Sequence, residues 1–330
     1  MHIPIAVIVI IVIALFFEFI NGFHDTANAV ATSISSKSLE PHQAIFISAF
    51  FNLIGALCGT AVAVTIAKGF ADPSLATNSV IFSALSAAII WNLATWYFGI
   101  PSSSSHALIG GLVGAIMFNN SWHVINFATI ANKVVLPMII SPILGFIMAM
   151  LIVILIHKGL KNNTQPRKTN NFIREIQVLS TAFLSFSHGT NDAQKTMGII
   201  TLTLFASNLI PTCSVPFWVI IACAICMALG TLFGGAKIIK TLSTRVAKLT
   251  PSSGFAAEIS SAMLLFIGSR FGMPLSTTHA VAGSIMGAGN VSHFGVNWSI
   301  VKNILIAWVL TFPACAIVAG LCLQLAKFFL

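Results

Sequence analysis

The chain has 330 residues, 57 % of them hydrophobic and only 7 % charged, with a net charge of +9. A soluble globular chain carries roughly 25 % charged residues, so this composition excludes a water-soluble domain. The positive excess does not indicate nucleic acid, because the basic residues gather at the ends of apolar runs, the pattern that orients membrane proteins.

In chain order, the apolar runs 3–19, 45–67, 80–98, 134–156, 217–233 and 304–325 each approach the ~20 residues that span a bilayer core of about 30 Å. The first run lacks a basic leader, contains Glu18 and leads straight into a polar motif, so it reads as structure and not as a signal peptide. The polar pattern predicts crossings over 3–33, 42–67, 79–98, 105–118 and 134–157, then the linker HKGLKNNTQPRKTNNFIRE (157–175). After it come crossings over 176–207 and 215–236, a basic loop at 237–250, segments 254–272 and 274–289, and a last helix near Lys302. Residues 1–157 and 176–330 form two membrane repeats joined by a basic linker, 158–175. Lys158, Lys161, Arg167, Lys168 and Arg174 place that linker in the cytoplasm. The near-neutral loop 68–78, counterpart of the basic loop 237–250, then falls outside. An odd number of crossings per half makes the repeats inverted, an architecture common among secondary transporters. The expected fold is all-α and polytopic, with two inverted-topology repeats and about 10–12 transmembrane segments, including broken helices or re-entrant hairpins at 99–118 and 272–289.

Two motifs occur twice in the same order. The first is GFHDTAN (22–28), matched by GTNDAQK (189–195); the second is FGIPSSSSHA (98–107), matched by FGMPLSTTHA (271–280). A carboxylate at membrane depth costs at least ~2.5 kcal/mol unless paired, so Asp25 and Asp192 are functional candidates unless their motifs lie in solvated loops. The flanking Asn21, Gly22, His188 and Gly189 predict a break in each helix, whose freed carbonyls could coordinate a cation. In the second motif, proline stops one helix and suits the first turn of the next, while serine and threonine favour N-caps. Free N–H groups, a positive dipole end and clustered hydroxyls would together receive a tetrahedral oxyanion. The plainer alternative is two capped helices whose serines bond back to their own turns. His106 and His279 follow these starts, either as anion or proton groups or as packing residues. Glu258 is alone in its apolar run and needs a cavity or a basic partner; Glu18 precedes the first motif by one turn. The glycines 110, 111, 114, 283 and 287 read as close helix packing. Cys223 and Cys226 have no second pair or nearby histidine, and read as buried filler.

Together these features resemble the inorganic phosphate transporter (PiT) family, and HGTNDAQKTMGII and IWNLATWYFGIPSSSSHALIGG are similar to its bacterial low-affinity phosphate permeases. The resemblance covers nearly the whole chain. It implies symport of inorganic phosphate with protons or sodium in the bacterial inner membrane, with no enzymatic activity and no cofactor beyond the coupling ion. A divalent metal can accompany the phosphate. The family's cation positions fall on Asp25, Asn28, Asn191 and Asp192, and its anion positions on Ser102, Ser103, Ser104, Ser105, Ser276, Thr277 and Thr278. Its second-half glutamate matches Glu258, and its first-half glutamate is replaced by Asn52. His24 stands where the other half has Asn191, and Lys195 where the other half has Asn28. A lysine cannot ligate sodium, so Lys195 is expected to act as a built-in cation and the coupling ion to be H⁺, with Asp25 or a histidine such as His24 or His188 as carrier. No resident metal site and no nucleic-acid partner are expected; a homodimer is left open. Sulfate permeation on the same scaffold, a passive channel and an intramembrane aspartyl protease dyad are the competing readings.

Overall fold

The computed structural model describes residues 3–69, 75–161, 164–292 and 295–329. Residues 70–74 of the expected outer loop and 162–163 of the linker lie outside the described residues. The described residues are almost wholly helical, as a chain in lipid must be when no water is present to satisfy its backbone groups. The first half contains α1 (Ile5–Ser35), α2 (Pro41–Ala56), α3 (Ala61–Gly69), α4 (Asn78–Phe98), α5 (Ser104–Asn119), and α6 (Phe127–Ile130) running through one wider turn into α7 (Leu136–Gly159). The second half contains α8 (Pro166–Ala206), α9 (Phe217–Phe233), α10 (Ala236–Lys240), α11 (Pro251–Arg270), α12 (Thr277–Asn290) and α13 (Trp298–Phe329).

The element order therefore repeats. A long helix, a broken pair, a helix–turn–short-helix unit and a long final helix occur in each half. The equivalent helices α1 and α8 run antiparallel. Near one end Thr196 donates to Glu18, and near the other Ser36 donates to Gln177 at 2.8 Å.

The structure corrects three expectations. First, the Asp motifs do not break their helices: α1 and α8 continue through them. The glycines serve backbone approach instead. A Cβ on Gly22 would lie 2.4 Å from the Met227 carbonyl oxygen, and one on Gly230 only 2.1 Å from that of Phe19, so α1 and α9 cross in contact. Gly189 against Asn52 (2.3 Å) and Gly55 against Phe186 (2.1 Å) make the same crossing between α8 and α2. Second, one break falls inside the run 45–67, which reads as continuous, while the other follows the end of the run 217–233. α2 and α3 meet at 66°, and α9 and its continuation through residue 246 at 62°. Third, the expected basic loop 237–250 is helical as far as residue 246, and the linker's last ten residues already belong to α8.

The short helices are clasped by the opposite half. α5 packs along α13, where a Cβ on Gly114 would lie 2.3 Å from Ala316 Cα. α12 packs along α7, where one on Gly287 would lie 2.0 Å from the Phe146 carbonyl. The small residues expected for close packing are used in that way.

Candidate functional site

Each helix–turn–short-helix unit turns in the middle of the protein. Gly99 (φ 67°) and Gly272 (φ 65°) cap α4 and α11 in the left-handed conformation that costs glycine least. Thr95, near the end of α4, faces the His24 ring at 3.1 Å, so α4 stops at the depth of Asp25. Ser269, near the end of α11, donates to Thr190 at 3.4 Å, beside Asp192. From these tips α5 and α12 start, sixteen and fourteen residues long, or roughly 21–24 Å at 1.5 Å per residue. Neither spans a bilayer core, and both read as re-entrant. The tips touch: Thr278 Oγ1 donates to the Ser102 carbonyl at 2.9 Å.

Around Asp192 the cluster is dense and buried. Lys195 Nζ lies 2.5 Å from Asp192 Oδ1, and Asn191 Nδ2 and Thr277 Oγ1 each donate to the same oxygen at 2.7 Å. His188 Nε2 stands 3.1 Å from Asp192 Oδ2. Its Nδ1 meets Asn52 Oδ1 at 3.0 Å, and Asn52 Nδ2 in turn donates to Thr231 Oγ1. The Leu275 carbonyl, freed at the α11–α12 tip, accepts from Asn191 at 2.8 Å and Lys195 at 3.0 Å. Lys195 also donates to Ser105 of the other half.

Around Asp25 the same plan is drawn with different residues. His24 Nδ1 lies 2.7 Å from Asp25 Oδ1, in the role Asn191 has at Asp192. Its Nε2 faces Thr95 and, at 3.4 Å, the Ser102 hydroxyl; Ser104 lies 3.5 Å from Nδ1. Asn28 donates to Thr278 at 3.0 Å. Asp25 and Asp192 are 3 % and 1 % exposed, so the centre is closed to solvent from every direction.

The seven hydroxyl candidates divide. Ser103 Oγ accepts from the His106 N–H and Ser276 Oγ from the His279 N–H, so these two cap their own helices. Ser102, Ser104, Ser105, Thr277 and Thr278 reach the polar centre. The two caps and the five central hydroxyls predict different phenotypes. Ser276→Ala should lower stability by about 1 kcal/mol, read as a fall in melting temperature in detergent. Thr277→Val, which removes a hydrogen bond from Asp192, should weaken ligand binding more than it lowers the melting temperature.

Other candidates are placed elsewhere. His106 and His279 pack on each other with ring centroids 4.8 Å apart, and His279 stacks on Trp308 at 3.8 Å. Among the described residues Glu258 has no basic partner. It is fully buried and accepts from Thr32 (2.7 Å), Gln177 (3.0 Å) and Ser180. Thr32 lies seven residues from Asp25, about 10 Å along α1, so Glu258 is outside the central cluster. Glu18, buried seven residues the other way, accepts from Thr196. Thr95, Gln177 and Thr231 escaped sequence reasoning, because one polar residue in an apolar helix does not reveal which helix it will face.

Asp25 and Asp192 meet, as the repeat suggests, with the His188 ring beside them. An oxygen of Asp25, a ring nitrogen of His188 and an oxygen of Asp192 all lie within 4.8 Å of one another. Two carboxylates and an imidazole at that range form a donor set that fits a cation.

Comparison with known proteins gives a consistent picture. Residues 21–319 match the family model described as "Phosphate transporter family". A "Probable low-affinity inorganic phosphate transporter" of Rhizobium meliloti is 45 % identical over 316 residues, 95 % of this chain and 94 % of that protein. One of the same description from Bacillus subtilis is 45 % identical over 94 % of this chain and 93 % of its own. Among solved structures, one titled "The sodium-dependent phosphate transporter" aligns with a TM-score of 0.87 at 25 % identity, covering 99 % of this chain and 100 % of that one.

Proposed function

The chain belongs to the phosphate transporter family, and from that membership we propose that it imports inorganic phosphate by H⁺ symport, alternating access between two inverted halves. The bacterial inner membrane is the proposed location, with the basic linker on the cytoplasmic side. The observation that carries this reading is the meeting of two hydroxyl-rich helix starts over Asp25 and Asp192. Helix N-termini present unsatisfied N–H groups and a positive dipole end. Two of them meeting, with Ser104 and Ser105 on one side and Thr277 and Thr278 on the other reaching the same polar centre, suit the four oxygens of a tetrahedral anion.

The adjacent carboxylates select among such anions. Sulfate has no proton to donate, whereas hydrogen phosphate can donate to an acceptor such as Asp25. Asp25 makes coupling obligatory: Lys195 offsets Asp192, but an anion beside the buried Asp25 requires compensating positive charge to enter with it. His24, which joins Asp25 to the α5 tip through Thr95 and Ser102, is the group placed to carry that charge as a proton. The closed centre, with the tips in contact, fits an occluded intermediate of the transport cycle. The antiparallel packing of α1 on α8 supports the inverted repeat.

The Asp25–His188–Asp192 donor set favours a second reading, in which phosphate travels as a complex with a divalent metal. Sodium coupling is the other alternative.

Labelled phosphate uptake into proteoliposomes under separately imposed pH and sodium gradients tests the proposal. Uptake should follow the pH gradient and be inhibited by arsenate but not by sulfate. Inhibition by sulfate and not by arsenate would overturn the substrate, and strict dependence on sodium would overturn the coupling ion. A requirement for a divalent metal in the same assay would select the complex as the transported species.

A further inference from the structure

The two halves treat their polar centres unequally, and the difference lies in Lys195. An ammonium has three protons to donate. Here it has three acceptors, all from the protein: Asp192 Oδ1 at 2.5 Å, the Leu275 carbonyl at 3.0 Å, and the Ser105 hydroxyl. A carboxylate, a carbonyl freed at a helix break and a hydroxyl form the oxygen set that alkali and alkaline-earth cations take. Lys195 is 3 % exposed, and each of its three donors meets a protein oxygen.

The equivalent position in the first half can be read off the repeat. Asp25 stands for Asp192, the Ser102 carbonyl for that of Leu275, Thr278 for Ser105, and Asn28 for Lys195. No side-chain cation of the protein occupies that position among the described residues. Instead the ligands close on one another: Thr278 donates to the Ser102 carbonyl at 2.9 Å and accepts from Asn28 at 3.0 Å. Each of these bonds is between neutral groups and can be exchanged for a bond to an incoming ion.

We propose that the Lys195 ammonium is a tethered cation that fills one of two equivalent cation positions, leaving the position at Asp25, Asn28, Ser102 and Thr278 as the one that loads and releases a coupling ion. Lys195 then sets the number of cations moved per anion at one fewer than a chain with asparagine in both places. The inference rests on the reading of the protein as a cation-coupled carrier, but the cation count can be measured without transport.

The test compares full-length wild type with Lys195→Asn, which installs the first-half residue in the second half. Each is purified in detergent, checked for a monodisperse elution profile, and titrated with radioactive sodium at saturating phosphate. The variant should bind one more sodium ion per chain than wild type. Phosphate affinity in the variant should fall roughly a hundredfold or more without sodium, since Asp192 loses its buried partner, and recover as sodium is added. An unchanged sodium count in a monodisperse variant overturns the proposal. So does a loss of phosphate affinity that sodium does not restore, which is the signature of a lysine acting as an anion ligand.

The reciprocal variant, Asn28→Lys, provides a second decision should the first not fold. With both positions filled, it should equilibrate phosphate across a proteoliposome membrane but fail to concentrate it under a gradient that drives the wild type. Gradient-driven concentration at the wild-type level overturns the proposal. Failure of the wild type to concentrate phosphate under any gradient counts against the proposed function and leaves the sodium count to stand or fall separately.

Discussion

Replacing Asp192 with asparagine is expected to lower stability by roughly 3–5 kcal/mol as well as to abolish transport, because it strands the Lys195 ammonium in a buried site. Lys195 and Asp192 are 3 % and 1 % exposed, and 2.5 Å separates Nζ from Oδ1. Asparagine keeps the shape and two polar atoms but not the charge. Asp25→Asn provides the control. Asp25 has no lysine or arginine partner among the described ion pairs, only His24 at 2.7 Å, so its loss strands no fixed charge. It should abolish uptake while the protein still melts near the wild-type temperature. The two variants are compared by thermal unfolding in detergent and by phosphate uptake in cells. Equal melting temperatures for the two would show that the lysine pair contributes nothing special to the fold.

The second large effect is expected from the smallest substitution, Gly189→Ala. Its methyl group would sit 2.3 Å from the Asn52 carbonyl oxygen, against backbone and not a side chain that could swing away. Overpacking of this kind costs typically ~1–3 kcal/mol or more. To relieve it, α2 must move off α8 and take Asn52 with it, which breaks the contact that orients the His188 ring towards Asp192. Loss of both stability and uptake is therefore expected, with Gly22→Ala giving a matching loss at the α1–α9 crossing. A Gly189→Ala protein with wild-type uptake would mean that the crossing has slack, and that His188 is held by something other than Asn52.

That prediction comes from a place where sequence reasoning went astray. Gly189 beside Asp192 reads equally well as a helix break or as a point of backbone contact. Only the partner decides, and Asn52 is far away in the chain. The break at residues 57–60 lies in an apolar run whose composition passes for one continuous span, whereas the one at 234–235 falls where the run 217–233 ends. By contrast, the helix starts at the second motif were legible, because proline and the N-cap hydroxyls act on their immediate neighbours. The pairing of Asp25 with Asp192 was legible from the repeat. The surroundings of Glu258 were not, since Thr32, Gln177 and Ser180 are ordinary polar residues until three helices bring them together. Lys195 stood out in the sequence as the odd residue of a matched pair; its three acceptors needed the fold.

The clasp of each short helix by the other half also governs how the protein is made. α5 lies between α4 of its own half and α13, which begins about 180 residues further along the chain. At roughly 5–20 residues per second, the first half waits on the order of ten to forty seconds with the ridge at Gly110 and Gly114 facing lipid or the insertion machinery. The halves cannot mature in sequence as separate domains. A truncation that removes only α13 would leave the first repeat unfinished, although every residue of that repeat is present.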